Sequence, residues 1–221
     1  MKNKPFYIAI LIVSLFLGIF IYFKQSKSPN QAGADLQTSN YRVVPLEASL
    51  LVKPHSITKG PAQAKVTLVE FLDPECESCA ATYPFVKDLM KEFENDVKIV
   101  VRYMTYHQNS KYVANILEGA RSENKYWETL SLLFSTQNEW ANHHMPKPEL
   151  IPEILKPLKL NMSKIISDAK AGQYDQQITE DFEDGKKAGV RGTPTFFVNG
   201  QMVDDISYES LRNAIRSQLN N

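Results

Sequence analysis

Cysteine is almost missing from this chain, which has two in 221 residues, Cys76 and Cys79. With no second pair they make only half the ligand set of a structural zinc, which wants four. A purely structural bridge between them would close a loop too short to remove much chain entropy. Net charge is missing as well, since 25 basic residues face 25 acidic ones. The balance is uneven: residues 1–40 hold four lysines and one acid, and the rest holds 21 basic and 24 acidic residues. A weakly acidic body offers no electrostatic footing for nucleic acid. The length suits one domain with an appendage, and 43% apolar residues are enough to build its core.

What is present concentrates in residues 66–84, VTLVEFLDPECESCAATYP. The apolar run over 66–72, interrupted by Glu70, has the pattern of a strand buried on both faces. Asp73-Pro74-Glu75 makes a turn, because Pro74 disfavours a helical conformation for the residue before it. After the cysteines, Phe85, Val86, Leu89, Met90 and Phe93 recur at helical spacing. Cys76 is therefore expected where a strand gives way to a helix, with Cys79 one turn inside. There, unpaired amides and the helix dipole stabilise a thiolate. The C-x-x-C spacing lets the two sulfurs close a disulfide when oxidised. Strand, turn, C-x-x-C and helix together point to dithiol redox chemistry.

These residues resemble the thioredoxin superfamily, and in detail its extracytoplasmic DsbA-like branch. Glu70 lies six residues before Cys76, where the family places a buried acid that moves a proton for the second cysteine. Pro84 lies five residues after Cys79, where thioredoxins kink the first helix. Thr193-Pro194, followed by an apolar run over 195–198, resembles the cis-proline loop and its strand. The resemblance covers about 64–219. It implies an α/β thioredoxin fold with a helical insertion over about 110–188, between two halves of the core. It further implies that Cys76 and Cys79 form the redox pair, that Glu70 serves Cys79, and that Thr193 and Pro194 position an extended peptide substrate. Proline is what makes a cis bond accessible there. No metal or organic cofactor is required.

At the N-terminus, residues 6–23 form an 18-residue run broken only by Ser14 and Gly18. As a helix it would reach about 27 Å, just enough to span a bilayer. A cleaved signal peptide is the rival, with Lys2 and Lys4 as its basic region. The first A-x-A, at Ala32 and Ala34, lies well beyond the run, so the reading is an uncleaved anchor over 1–23. Lysines flank both ends, and charge asymmetry leaves the orientation open. A polar tether follows over 24–40, then the domain over 41–221. The expected localisation is single-pass in a bacterial inner membrane, with the catalytic domain in the periplasm, where cysteines oxidise.

Residues 41–60 read either as an edge strand or as an irregular wrap. Val97 to Tyr103 is β-branched and completes a βαβ unit with the first strand. Helical stripes follow, Tyr112–Ile116–Ala120 and Trp127–Leu130–Phe134 among them, most simply as core. Glu180, Asp181, Glu183 and Asp184 read as a solvated helix face. Asn199-Gly200 suits a hairpin turn, and Ser207 suits the N-cap of a last helix that turns Leu211, Ile215 and Leu219 inward.

The function read from this pattern is thiol–disulfide exchange on cysteine-containing envelope proteins, recycled by a DsbB-like or DsbD-like membrane partner that the resemblance implies. A copper-handling protein on the same fold is the alternative, with Cys76, Cys79 and one of His107, His143 or His144 as ligands. A peptide-binding chaperone with a dormant C-x-x-C is a third. Where strong oxidants of the family place a histidine between the cysteines, this chain has Glu77-Ser78, with Asp73 and Glu75 upstream. Each nearby carboxylate opposes a thiolate by roughly 0.7 kcal/mol in a water-like medium, against about 0.3–2 kcal/mol from the helix end. The expected Cys76 pKa is thus nearer the ~7 of thioredoxin than the ~3.5 of DsbA, with a correspondingly less oxidising disulfide.

Overall fold

The structure, a computed structural model, describes residues 41–42, 48–142 and 145–220. Every described residue lies within the unit Ser39–Asn221. The two apolar runs form strands over the expected spans, β3 (Val66–Leu72) and β4 (Val97–Tyr103). They pair in parallel from Val66 opposite Val97 to Leu72 opposite Tyr103. The helix α2 (Glu77–Glu92) is their crossover, with Pro84 inside it. Strand β5 (Thr195–Val198) adds to β3 antiparallel, so the sheet is mixed. It turns into β6 (Gln201–Val203) through Asn199 and Gly200, at φ 46° and 83°. Positive φ at both central residues is what a two-residue turn of this hand demands.

Residues 41–60 contribute both edges of the sheet. Its six strands run in the order β1-β6-β5-β3-β4-β2, with β1 (Tyr41–Arg42) on one side and β2 (Ile57–Lys59) on the other. Strand alternation sends Val66, Leu68, Phe196 and Val198 to one face, where they bury Val86 and Leu89 of α2. Leu211, Ala214 and Ile215 of the last helix, α9 (Tyr208–Leu219), complete that layer. Ser207 caps this helix by accepting from the Ser210 amide. Val69, Phe71, Val100 and Phe197 take the other face, with Leu51 of α1 (Ala48–Leu51). Strands β3 and β4 thus carry two buried faces, which is why their sequences are runs and not alternations.

Between β4 and β5 the chain is helical: α3 (Ser110–Ser122), α4 (Tyr126–Ser135), α5 (Gln137–Trp140), α6 (Ile151–Ile154), α7 (Met162–Ala171) and α8 (Asp175–Lys187). The apolar stripes of these helices form one core, in which Ile116, Leu130, Phe134, Trp140 and Ile165 are continuous with Leu72, Cys79 and Tyr83. The helical block therefore packs directly on the cysteine helix. Helix α8 lies close to the sheet at Gly185, where a β-carbon would come within 2.3 Å of Met104 Sδ and 3.0 Å of the Phe71 ring.

Two expectations are corrected here. Only half of the acidic run on α8 is a solvated face: Glu180 and Glu183 are exposed, but Asp181 and Asp184 are buried. They receive the guanidinium of Arg102, fully buried in β4, whose Nε donates to Asp181 at 2.5 Å and Nη2 to Asp184 at 3.0 Å. The remaining nitrogen, Nη1, donates to the Leu50 carbonyl at 2.9 Å. A charge inside a strand dictated a counter-charge on the helix laid over it.

Localisation is the second. Among the described residues no helix is long and apolar enough to cross a membrane. The longest, α2, has 16 residues, against the roughly 20 a span needs. The apolar run over 6–23 that carried the single-pass inner-membrane expectation lies outside the described residues.

Candidate active site

Strand β3 ends at Leu72 and hands the chain to the turn Asp73-Pro74-Glu75, after which Cys76 is the N-cap of α2 in an extended conformation. Cys76 is 8% exposed and Cys79, inside the first turn, is fully buried; both are free thiols. The Cys79 thiol points at the Cys76 sulfur and, with help from the Thr193 hydroxyl and the Cys79 and Ser78 amides, outweighs burial and brings the Cys76 pKa down to about 5. That is lower than the sequence-based expectation near 7. Two of the carboxylates expected to oppose the thiolate, Asp73 and Glu75, are bound by other partners. Asp73 binds the Tyr106 amide and the His107 ring, and Glu75 binds Asn109 through backbone and side chain. With their hydrogen-bonding capacity spent there, the Cys79 thiol leads at the sulfur, with the Thr193 hydroxyl and the helix-end amides behind it.

Cys79 behaves in the opposite way. Burial pushes its thiol well above the ordinary value, and the neighbouring Cys76 and Glu70 charges add to that. Its sulfur accepts from the Asp73 amide at 3.5 Å. Glu70, on β3 opposite Val101 and Phe196, is 1% exposed. Its Oε1 has no hydrogen-bond partner. Burial, with Cys76 adding a smaller effect, raises its pKa to about 8. A buried acid with an unmet oxygen and a pKa near neutrality can exchange protons at physiological pH.

Thr193 and Pro194 precede β5 and are joined by a cis peptide bond. The Cys76 thiol donates to the Thr193 carbonyl at 3.3 Å. The expected residues Cys76, Cys79, Glu70, Thr193 and Pro194 therefore converge on one end of the sheet. Sequence reasoning missed the second layer. Gln137 of α5 donates from Nε2 to the Pro74 and Cys76 carbonyls, both at 3.2 Å, and pins the turn. Ser110, at the start of α3, donates to Asp73 and to Glu75. The only local signal was a pair of acids flanking Pro74, immediately before the cysteines.

The copper alternative draws no support. Among the described residues no three histidines, cysteines or carboxylates gather as a metal site. His107 gives its Nδ1 to Asp73 at 2.8 Å. His143 and His144 lie outside the described residues.

The family model described as Thioredoxin matches residues 53–217. Among curated proteins, the Na(+)/H(+) antiporter NhaA of Herminiimonas arsenicoxydans is 30% identical over 145 residues, 66% of this chain and 22% of that protein. The chain spans about a fifth of the length of the curated relatives it matches. Relatives named as antiporters are a further departure from the expected single-pass placement in an inner membrane. BdbD from Bacillus subtilis, in its oxidised form, superposes with a TM-score of 0.69 at 23% identity, covering 75% of this chain and 94% of that one. The thiol-disulfide exchange protein alpha-DsbA2 from Wolbachia pipientis gives 0.64 at 20% identity, covering 77% and 90%. With its C-x-x-C at the head of α2 and its sheet in this order, the chain belongs to the thioredoxin superfamily, on the DsbA-like fold.

Proposed function

We propose that the domain over 41–221 is a thiol–disulfide oxidoreductase acting on cysteine-containing proteins through Cys76 and Cys79. The asymmetry of the two sulfurs carries this reading: one retains 8% exposure with its pKa drawn down to about 5, the other is fully buried and pushed well up. In the oxidising direction, a client thiolate attacks Cys76 of the enzyme disulfide. The Cys76–Cys79 bond breaks, a client–Cys76 mixed disulfide forms, and Cys79 leaves as a thiolate that takes a proton, with Glu70 as its donor. A second client thiolate then attacks the client sulfur, releasing oxidised client and Cys76 as thiolate. Two electrons pass from the client dithiol to the enzyme.

In reverse, the Cys76 thiolate opens a client disulfide, and Cys79, giving its proton to Glu70, resolves the mixed disulfide. Thr193 and Pro194, beside the Cys76 sulfur, hold the client backbone. A stabilised Cys76 thiolate is a good leaving group and favours the reduced enzyme, so the net direction is oxidation of clients. A DsbB-like recycling partner re-oxidises the pair; a DsbD-like one would be needed for the opposite flow.

Trapping tests the assignment. Cys79→Ala should accumulate mixed disulfides with client proteins, resolved by reductant on a gel, and Cys76→Ala should accumulate none. Equal trapping by both variants would remove the roles given to the two sulfurs.

A further inference from the structure

We propose that Asp73 and His107 form a charge-compensating pair beside the redox thiol, in which protonated His107 cancels the Asp73 carboxylate and keeps Cys76 a good leaving group. His107 is then a positioning residue that ties the reactivity of the pair to pH. This rests on the thiol–disulfide reading above.

The geometry starts at Asp73, which is fully buried in the turn before Cys76. Its carbonyl accepts from the Cys76 amide at 3.1 Å and its amide donates to Cys79 Sγ at 3.5 Å. The Asp73 backbone is thus tied to both cysteines, and an uncompensated carboxylate on that residue opposes a thiolate at its neighbour. Five donors converge on its oxygens: the Tyr106 amide, the His107 amide, His107 Nδ1, the Glu75 amide and the Ser110 hydroxyl. Toward each of these partners the Asp73 oxygens act as acceptors. Of those donors, His107 alone can bring a positive charge.

The surroundings of His107 set its titration. Its side chain is 34% exposed, so its proton exchanges with solvent. From the turn before α2 it faces Asp73 and Glu75, and from the helix cap it faces Cys76. On its own loop stands Tyr106, whose ring packs on Phe182 of α8 at 5.4 Å, with Lys186 over the far ring at 5.4 Å. Burial opposes protonation of His107, but Asp73, Cys76 and Glu75 outweigh it and raise its pKa above the ordinary value. While His107 is charged the pair is neutral and the helix-end amides act on Cys76 unopposed. Once it loses its proton, the bare Asp73 carboxylate works against the thiolate and the disulfide becomes less oxidising. A cation supplied across the loop would thereby do what the Glu77-Ser78 dipeptide between the cysteines cannot.

Linkage makes the test reciprocal: the effect of the thiolate on His107 equals the effect of His107 on the thiolate. In the reduced full chain, His107 should titrate by NMR at a higher pH in the wild type than in Cys76→Ser. Thiolate absorbance should show the Cys76 pKa rising in His107→Gln by about half a unit or more, the size expected of one nearby charge. A glutathione titration should give a lower reduction potential for the same variant. Adding Asp73→Asn to His107→Gln should bring the Cys76 pKa back toward the wild-type value, which a merely structural role would not do.

An unchanged His107 titration in Cys76→Ser overturns the proposal, and that arm stands even where His107→Gln fails to fold. Full coupling in a protein that exchanges no client disulfide would sink the functional reading and leave the pair intact.

Discussion

The Cys76 sulfur lies 3.3 Å from the carbonyl oxygen of Thr193, 117 positions further along the chain. The sheet makes this contact. Strands β3 and β5 are antiparallel neighbours with Phe71 opposite Thr195, so the end of one lies beside the start of the other. What leaves β3 is the turn to Cys76, and what enters β5 is Thr193-Pro194. The contact also has two sides. The thiol donates to the carbonyl, which favours the neutral form, while the Thr193 hydroxyl donates to the sulfur and favours the anion.

Thr193→Val separates those two effects, because it keeps shape and carbonyl and deletes the hydroxyl. The Cys76 pKa should rise from about 5 by about one unit, the scale of a hydrogen bond to a charged group. Thiolate absorbance against pH measures it. An unmoved curve would show that the helix-end amides and the Cys79 thiol act alone.

Helix α8 tests the packing. At Gly185 an added methyl meets Met104 Sδ and the Phe71 ring below ordinary contact distance. Phe71 is in the middle layer and has no room to retreat. Gly185→Ala should therefore lose about 1–3 kcal/mol despite alanine's better helix propensity, read as a lower urea midpoint with an unchanged slope. A stabilised variant would mean that α8 sits further from the sheet.

Local patterns made much of this legible. The runs at Val66–Leu72 and Val97–Tyr103 gave strands of those bounds because both faces of each are buried. The positive φ values at Asn199 and Gly200 were written in the Asn-Gly pair. What the sequence did not disclose depends on distant partners. Asp181 and Asp184 looked like surface acids until Arg102, 79 positions from Asp181, was placed beneath them. The Cys76 pKa was misjudged for the same reason. Asp73 and Glu75 were counted as bare charges near the sulfur, yet Asn109, Ser110 and His107, more than thirty residues on, supply donors that occupy them. Proximity along the chain fixes which charges are near, not which donors meet their oxygens.

Arg102 itself gives the largest expected loss. Arg102→Leu leaves Asp181 and Asp184 buried, with His55 Nε2 at 2.7 Å, the Tyr103 amide at 3.1 Å and the Lys53 ammonium at 3.1 Å as remaining polar neighbours. Removing one member of a buried charge cluster costs about 3–5 kcal/mol. Chemical denaturation should show it, and adding Asp181→Leu and Asp184→Leu should recover part of the loss, since apolar groups leave no charge unpaired. A single variant as stable as the wild type would mean that water already reaches the cluster.

Glu70 is where stability and chemistry meet. Its pKa rises from 4.5 to about 8 because burial penalises the charged form. The folded state therefore holds its proton where the unfolded state has lost it. The resulting contribution is fully present below pH 4.5 and is lost as pH rises toward 8. Glu70→Gln removes that dependence, so its stability relative to wild type should climb across this window. Catalysis should move the other way. Cys79 is held well above its ordinary pKa, and without a local acceptor its proton must leave through solvent. Resolution of a mixed disulfide should slow by on the order of a hundredfold, the lower end for a positioned acid–base group. Attack by Cys76, whose proton is already gone at neutral pH, should keep its rate. Stopped-flow measurement of both steps separates them. Equal slowing of the two would assign Glu70 to the general field of the site and not to Cys79.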